Sequence, residues 1–141
     1  MIASRLLSAL NPIVAAKCEA HIAACKAEGI ELLITCTYRD SEMQDHLYAQ
    51  GRTEPGKIVT NAKGGQSAHN YRLAYDIVPM LYGKPVWGTA GSDGELWQRA
   101  GQLGEAQGLE WAGRWATFKE LPHFQYLGGH PMSYFAQGGT L

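Results

Sequence analysis

The sequence lacks a surplus of positive charge: 12 Lys and Arg stand against 13 Asp and Glu, a formal net charge of -1. Without that surplus there is little to neutralise a phosphate backbone or an anionic membrane surface, so nucleic acid is not an expected partner. A long apolar run is also missing. Met1 to Leu10 carries Arg5 in its middle and no long apolar stretch ahead of a cleavage site, so neither a signal peptide nor a membrane anchor is expected. Cysteine is scarce, and Cys18, Cys25 and Cys36 include no C-x-x-C pair. This argues against a disulfide framework or a zinc knuckle and fits a reducing cytoplasm; all three are expected as small core residues. No internal repeat or low-complexity linker is present.

What is there is ordinary globular composition, 45% hydrophobic and 18% charged over 141 residues. A chain of that length buries roughly 70% of its unfolded surface, enough for one core, so residues 1–141 are expected to form a single domain. Asn11-Pro12 supplies an N-cap and a first-turn proline, and Ile13, Ala16, Ala20, Ala23, Ala24 and Ala27 recur at helical spacing up to Gly29. Ile30 to Tyr38 is β-branched and apolar and reads as a buried strand. Ser41 with Gln44 gives a capping-box pattern for a helix that ends at Gly51. Residues 51–68 read as a long surface loop. Leu73 to Val78 alternates as a strand, with Asp76 on one face among apolar neighbours. Ser92 and Glu95 suggest a second capping box, opening a helix that stops at Gly108. Trp111 to Trp115 and His123 to Tyr126 suggest two short strands, and Gly128 to Leu141 a loosely held tail.

Of five histidines, His21 and His46 fall inside helices and His130 in the tail, whereas His69 and His123 keep company with acids. His69 precedes Asp76 by seven residues across a loop-to-strand junction, which lets the side chains converge. A catalytic zinc takes three N or O ligands and leaves a fourth position for water. His69, Asp76 and one later histidine would supply that set, and Glu120, three residues before His123, is placed as a general base. The spacing alone fits equally well a buried, hydrogen-bonded Asp76 and a packed His123.

Three blocks carry a family resemblance. Ser67-Ala68-His69-Asn70-Tyr71-Arg72-Leu73-Ala74-Tyr75-Asp76 resembles the S-x-H-x-x-G-x-A-x-D motif of the VanY-type D-Ala-D-Ala carboxypeptidase and L-Ala-D-Glu endopeptidase family of zinc peptidases, which includes many phage endolysins. Trp111-Ala112-Gly113-Arg114-Trp115, Phe118 and Glu120-Leu121-Pro122-His123-Phe124-Gln125 are similar to its W-G-G-D-W and F-x-D/E-x-P-H-F block. Tyr38-Arg39-Asp40-Ser41 with Gln44, Leu47, Tyr48, Gln50, Gly51 and Arg52 is similar to the stretch upstream of the first histidine. Two departures stand out: Arg72 where the motif has glycine, and Arg114 where it has aspartate.

The resemblance implies an α+β fold whose central antiparallel sheet carries a zinc site in an open groove, with helices on the outer side. It implies His69, Asp76 and His123 as Zn2+ ligands, Glu120 as the catalytic carboxylate and Arg39 as the cation for substrate or oxyanion. Gln44, Ser67 and Trp115 are further candidates for substrate binding. The implied activity is cleavage of the peptidoglycan stem peptide at L-Ala-D-Glu by a phage lysis enzyme. Such an enzyme is expected to be a monomer that accumulates in the host cytoplasm and reaches the wall or periplasm through a separate pore-forming protein. A D-Ala-D-Ala carboxypeptidase and a non-catalytic binding module on the same fold are the alternatives.

Overall fold

Asn11 opens the first helix, its side chain accepting from the Ile13 amide at 2.9 Å with Pro12 at the first helical position. This helix, α1 (Pro12–Ala27), is followed by β1 (Glu31–Cys36), α2 (Ser41–Ala49), β2 (Ala74–Leu81), β3 (Lys84–Pro85), α3 (Gly91–Glu105), β4 (Glu110–Trp111), β5 (His123–Gln125) and α4 (Met132–Ala136). The computed structural model describes residues 1–141. No helix is long and apolar enough to cross a membrane. The strands form one open antiparallel sheet in the order β1-β2-β5-β4, with β3 paired to β2, giving the α+β architecture expected.

Strand alternation sorts this sheet into two chemically different faces. Tyr75 of β2 lies opposite Phe124 of β5, and Phe124 opposite Trp111 of β4. Their rings stack in sequence, Tyr75 on Phe124 at 5.8 Å and Phe124 on Trp111 at 6.3 Å. The helices cover this aromatic row. Gly101 and Gly104 of α3 make the close approach feasible: a Cβ on either would stand 2.5 Å from the ring of Trp111 or Phe124 respectively. One residue out of step, Asp76 and His123 pair directly and project from the opposite face.

Several local expectations are corrected. The buried stripe of α1 is Val14, Cys18, His21 and Cys25, while Ile13 is exposed, because the sheet selects the i, i+4, i+7 face and not the alanines. Asp40, not Ser41, caps α2 by accepting from the Met43 amide at 2.8 Å, so the Ser41–Gln44 capping box does not form. α3 begins at Gly91 without any side-chain cap, so neither does the Ser92–Glu95 box. β2 runs three residues past Val78 to Leu81, held by β1 and β3. Residues 112–114 form a 3-10 turn in place of a continued strand. The 128–141 stretch carries α4, whose Phe135 joins the main core. The three cysteines are buried and free.

Candidate active site

Ser67 caps the short 3-10 turn Ala68–Tyr71 by accepting from the His69 amide at 3.3 Å, and Asn70 closes the reciprocal bond to the Ser67 amide. Asn70 also donates to the Arg39 carbonyl at 3.0 Å, tying this turn to the segment between β1 and α2. The chain leaves the turn at Arg72, which takes up left-handed backbone with φ of 64°. That is the conformation a glycine would supply at no steric cost. Arg72 is held there by stacking over the Tyr38 ring at 3.9 Å and by donating to the Ala9 carbonyl at 2.8 Å.

The turn delivers His69 to the groove face of β2. Its Nε2 lies 3.1 Å from Asp76 Oδ1, His123 Nδ1 lies 3.2 Å from the same oxygen, and the two ring nitrogens lie 3.2 Å apart. The outer nitrogens have their own partners: His69 Nδ1 donates to the Thr37 carbonyl at 2.8 Å, and His123 Nε2 to Gln125 Oε1 at 2.7 Å. A carbonyl can only accept, so both rings carry their proton on the outside and turn a lone pair inward. With both rings neutral, three electron-rich atoms thus face one point, an arrangement that a cation relieves. Tetrahedral zinc with bonds of about 2.0–2.1 Å requires ligand atoms about 3.3 Å apart, close to the separations seen. The residues fit the ion.

Burial acts to raise the Asp76 carboxyl, but His69 and His123 outweigh it and hold the group well below the ordinary carboxylate range. For His69 burial wins and its pKa falls, as a neutral ligand requires. For His123 burial is outweighed by Asp76, and its pKa rises, so a proton competes with a metal for its Nδ1. Cys36 Sγ also approaches, 3.9 Å from His69 Nδ1, and with His69 and Asp76 offers ligand atoms within 4.8 Å of one another. Burial pushes this thiol up to about 11, and it faces the ring nitrogen already committed to Thr37.

Around the triad runs a groove of about 440 Å³, lined by Arg39, Ser67, Trp115, Phe118 and Glu120 among others. Burial raises the Glu120 carboxyl, helped by Asp76 and opposed by His123 and Arg39. Trp115 forms part of the wall, its ring 5.6 Å from that of His123, whereas Trp111 is core and donates to the Leu121 carbonyl at 2.8 Å. Arg114, where the motif has an acid, pairs with Glu105 of α3 at 3.1 Å and lies over Trp111.

Gln44 requires correction as a substrate contact. It is fully buried, accepts from Arg39 Nε at 3.1 Å, and donates to Thr60 and to the Ala62 carbonyl. It aims Arg39 and cannot touch a ligand in the groove. Ser67 is nearly buried and acts as the cap of the His69 turn while contributing to the groove wall. Asn70 and Gln125 are participants that sequence reasoning missed. Asn70 reaches the Arg39 carbonyl and Gln125 reaches Glu110, contacts between residues distant in sequence that no local spacing reveals.

An open sheet that presents two imidazoles, a carboxylate and a neighbouring buried glutamate in one groove has the chemistry of the metal-dependent peptidases. Comparison with known proteins narrows that class. Residues 60–126 match the Peptidase M15 model described as D-alanyl-D-alanine carboxypeptidase. Over 125 residues the chain is 38% identical to the peptidoglycan L-alanyl-D-glutamate endopeptidase CwlK of Bacillus subtilis, covering 85% of this chain and 75% of that protein. The protein belongs to the M15 family of zinc peptidases. Among solved structures it shares its fold with the L-Ala D-Glu endopeptidase ChiX of Serratia marcescens, at TM-score 0.65 and 19% identity over 86% of this chain and 83% of that one. It likewise resembles the vancomycin resistance D,D-pentapeptidase VanY, solved with Zn(II), at TM-score 0.61 and 15% identity over 97% of this chain and 84% of that one.

Proposed function

We propose that this enzyme cleaves the stem peptide of peptidoglycan between L-Ala and D-Glu, with His69, Asp76 and His123 holding zinc. The observation that carries the proposal is the convergence of His69 Nε2, Asp76 Oδ1 and His123 Nδ1 within 3.2 Å of one another, beside Glu120 and Arg39 in one groove. The choice of bond is supported by the 38% identical relative, whose named activity is that cleavage.

Zinc bound by these residues supplies Lewis acidity and makes hydroxide available near neutral pH. Glu120 is the base that takes the proton from the attacking water and later delivers it to the leaving amine. Its raised pKa suits both directions of that transfer, since the protonated form then survives long enough to act as an acid. Arg39, fixed at Nε by Gln44 and with Nη1 3.8 Å from Cys36 Sγ, lines the groove, where its guanidinium stabilises the developing oxyanion or binds the D-Glu carboxylate. Trp115 and Phe118 line the groove and offer it an aromatic wall.

Mass spectrometry of purified peptidoglycan digested with zinc-loaded protein, beside a chelated control, tests the reading. New zinc-dependent fragments with N-terminal D-Glu are expected. Release of terminal D-Ala alone makes the enzyme a carboxypeptidase, and no product on any wall type makes it a binding module. The lysis role and the passage from host cytoplasm to wall belong to the same proposal. Expression with and without a separate pore-forming protein tests them: lysis is expected only with the pore.

A further inference from the structure

We infer that Glu110 is a positioning residue for the metal centre: through Gln125 it selects the tautomer of His123 and keeps Nδ1 free as a ligand. The inference rests on the assignment of His69, Asp76 and His123 as the zinc ligands. Register places Glu110 opposite Gln125, and alternation along β5 puts Gln125 on the same face as His123, with Phe124 on the other.

The Gln125 side chain is nearly buried, and its amide can fill the same space either way round. As found, Oε1 accepts from His123 Nε2 at 2.7 Å. Turned over, the NH2 group would face that nitrogen, and two N–H groups cannot face each other. The His123 proton would then have to sit on Nδ1, occupying the lone pair that a metal needs.

Glu110 decides between the two arrangements. A carboxylate only accepts, so Gln125 must direct its NH2 group to Glu110 Oε1, 3.3 Å away, which leaves Oε1 for His123. The carboxylate is itself anchored, because the Trp115 indole donates to Oε2 at 2.7 Å. A groove-wall indole, a carboxylate and an amide therefore fix one imidazole in sequence. Partners behind a metal-bound histidine orient the ring and raise affinity without touching the ion.

The test measures zinc affinity by competition with a chromophoric chelator. Glu110 is exposed and lies in a two-residue strand, so Glu110→Ala is expected to keep the melting temperature of the protein. It should weaken zinc binding about 10- to 100-fold, the range for lost partners behind a ligand. In the exchanged double variant Glu110→Gln with Gln125→Glu, the carboxylate at 125 accepts from His123 Nε2. The amide at 110 then donates to that carboxylate and accepts from Trp115. The order of donors is restored, and affinity should return to within about threefold of wild type. A Glu110→Ala protein that binds zinc as tightly as wild type overturns the inference, as does an exchanged variant as weak as Glu110→Ala. A wild-type protein that binds no zinc overturns the ligand assignment itself and this inference with it.

Discussion

Gln44 Oε1 accepts from Arg39 Nε at 3.1 Å while its amide nitrogen is tied to Thr60 and to the Ala62 carbonyl. One buried side chain thus joins α2, the cation of the groove and the loop that forms the groove's far wall. Gln44→Leu keeps the volume but releases both ends. The buried partners it abandons should lower stability by about 1–3 kcal/mol, read as the midpoint of urea unfolding. Arg39, no longer aimed, should cost about tenfold in kcat/KM, or about 1.4 kcal/mol of transition-state binding. Zinc content should not change. A variant with wild-type kcat/KM would show that Arg39 finds its position unaided.

Glu120 and His69 share the groove but should fail differently. Glu120→Ala removes a proton carrier and no ligand, so it should retain zinc and fold while losing about two to four orders of magnitude in rate. His69→Ala removes an inward lone pair, so metal analysis should find the ion lost. Stoichiometric zinc in His69→Ala would contradict its place in the ligand set, and half-normal activity in Glu120→Ala would remove that residue from proton transfer.

The ease of reading this site from sequence follows from how each part is built. His69 and Asp76 sit on one continuous turn and strand, and His123 enters through a block with its own spacing, so all three were visible as residue types in a pattern. Gln44 looked like a helix cap because Ser41 precedes it by three residues. Asp40 takes that position since its carboxylate already reaches the Met43 amide, and the partners of the Gln44 amide nitrogen lie 16 and 18 residues further on. Glu110 and Gln125 meet only through sheet register, which is set by pairing partners and not by local spacing. The alanine-rich face of α1 matched helical period as well as the buried face does, and only the aromatic row beneath it decides between them.

That aromatic row makes a prediction about α3. Gly104 would place a Cβ 2.5 Å from the Phe124 ring and 3.0 Å from His21, both held by their neighbours. On an exposed helix face Gly→Ala would stabilise by about 1 kcal/mol. Here overpacking should outweigh that gain, leaving Gly104→Ala less stable by about 1–3 kcal/mol, or roughly 3–10 °C in melting temperature. Because Phe124 adjoins His123, zinc affinity should fall as well. A higher melting temperature in Gly104→Ala would show that β5 shifts freely on the helix.

His21 offers a pH signature that lies away from the metal. Its Nε2 donates to the Ala100 carbonyl and its Nδ1 accepts from the Tyr75 hydroxyl, each at 2.8 Å, with the Phe124 ring 4.6 Å away. Burial lowers its pKa in the folded protein, since a charged ring there loses its hydration. In the unfolded chain the ring titrates near its ordinary value of about 6.5. Between those values the unfolded state binds the extra proton, so stability rises with pH. The contribution is complete above about pH 6.5 and is lost as the pH falls through that value toward the depressed folded one. Melting temperatures of the zinc-loaded protein, in which His69 and His123 are held by metal, should therefore decline from about pH 7 to pH 5. His21→Gln should be less stable at pH 7, where it lacks the full set of ring contacts, but its melting temperature should change less over the same interval. Parallel curves for the two proteins would mean that His21 remains neutral in both states or accepts its proton without cost, and the acid sensitivity would then belong to another group.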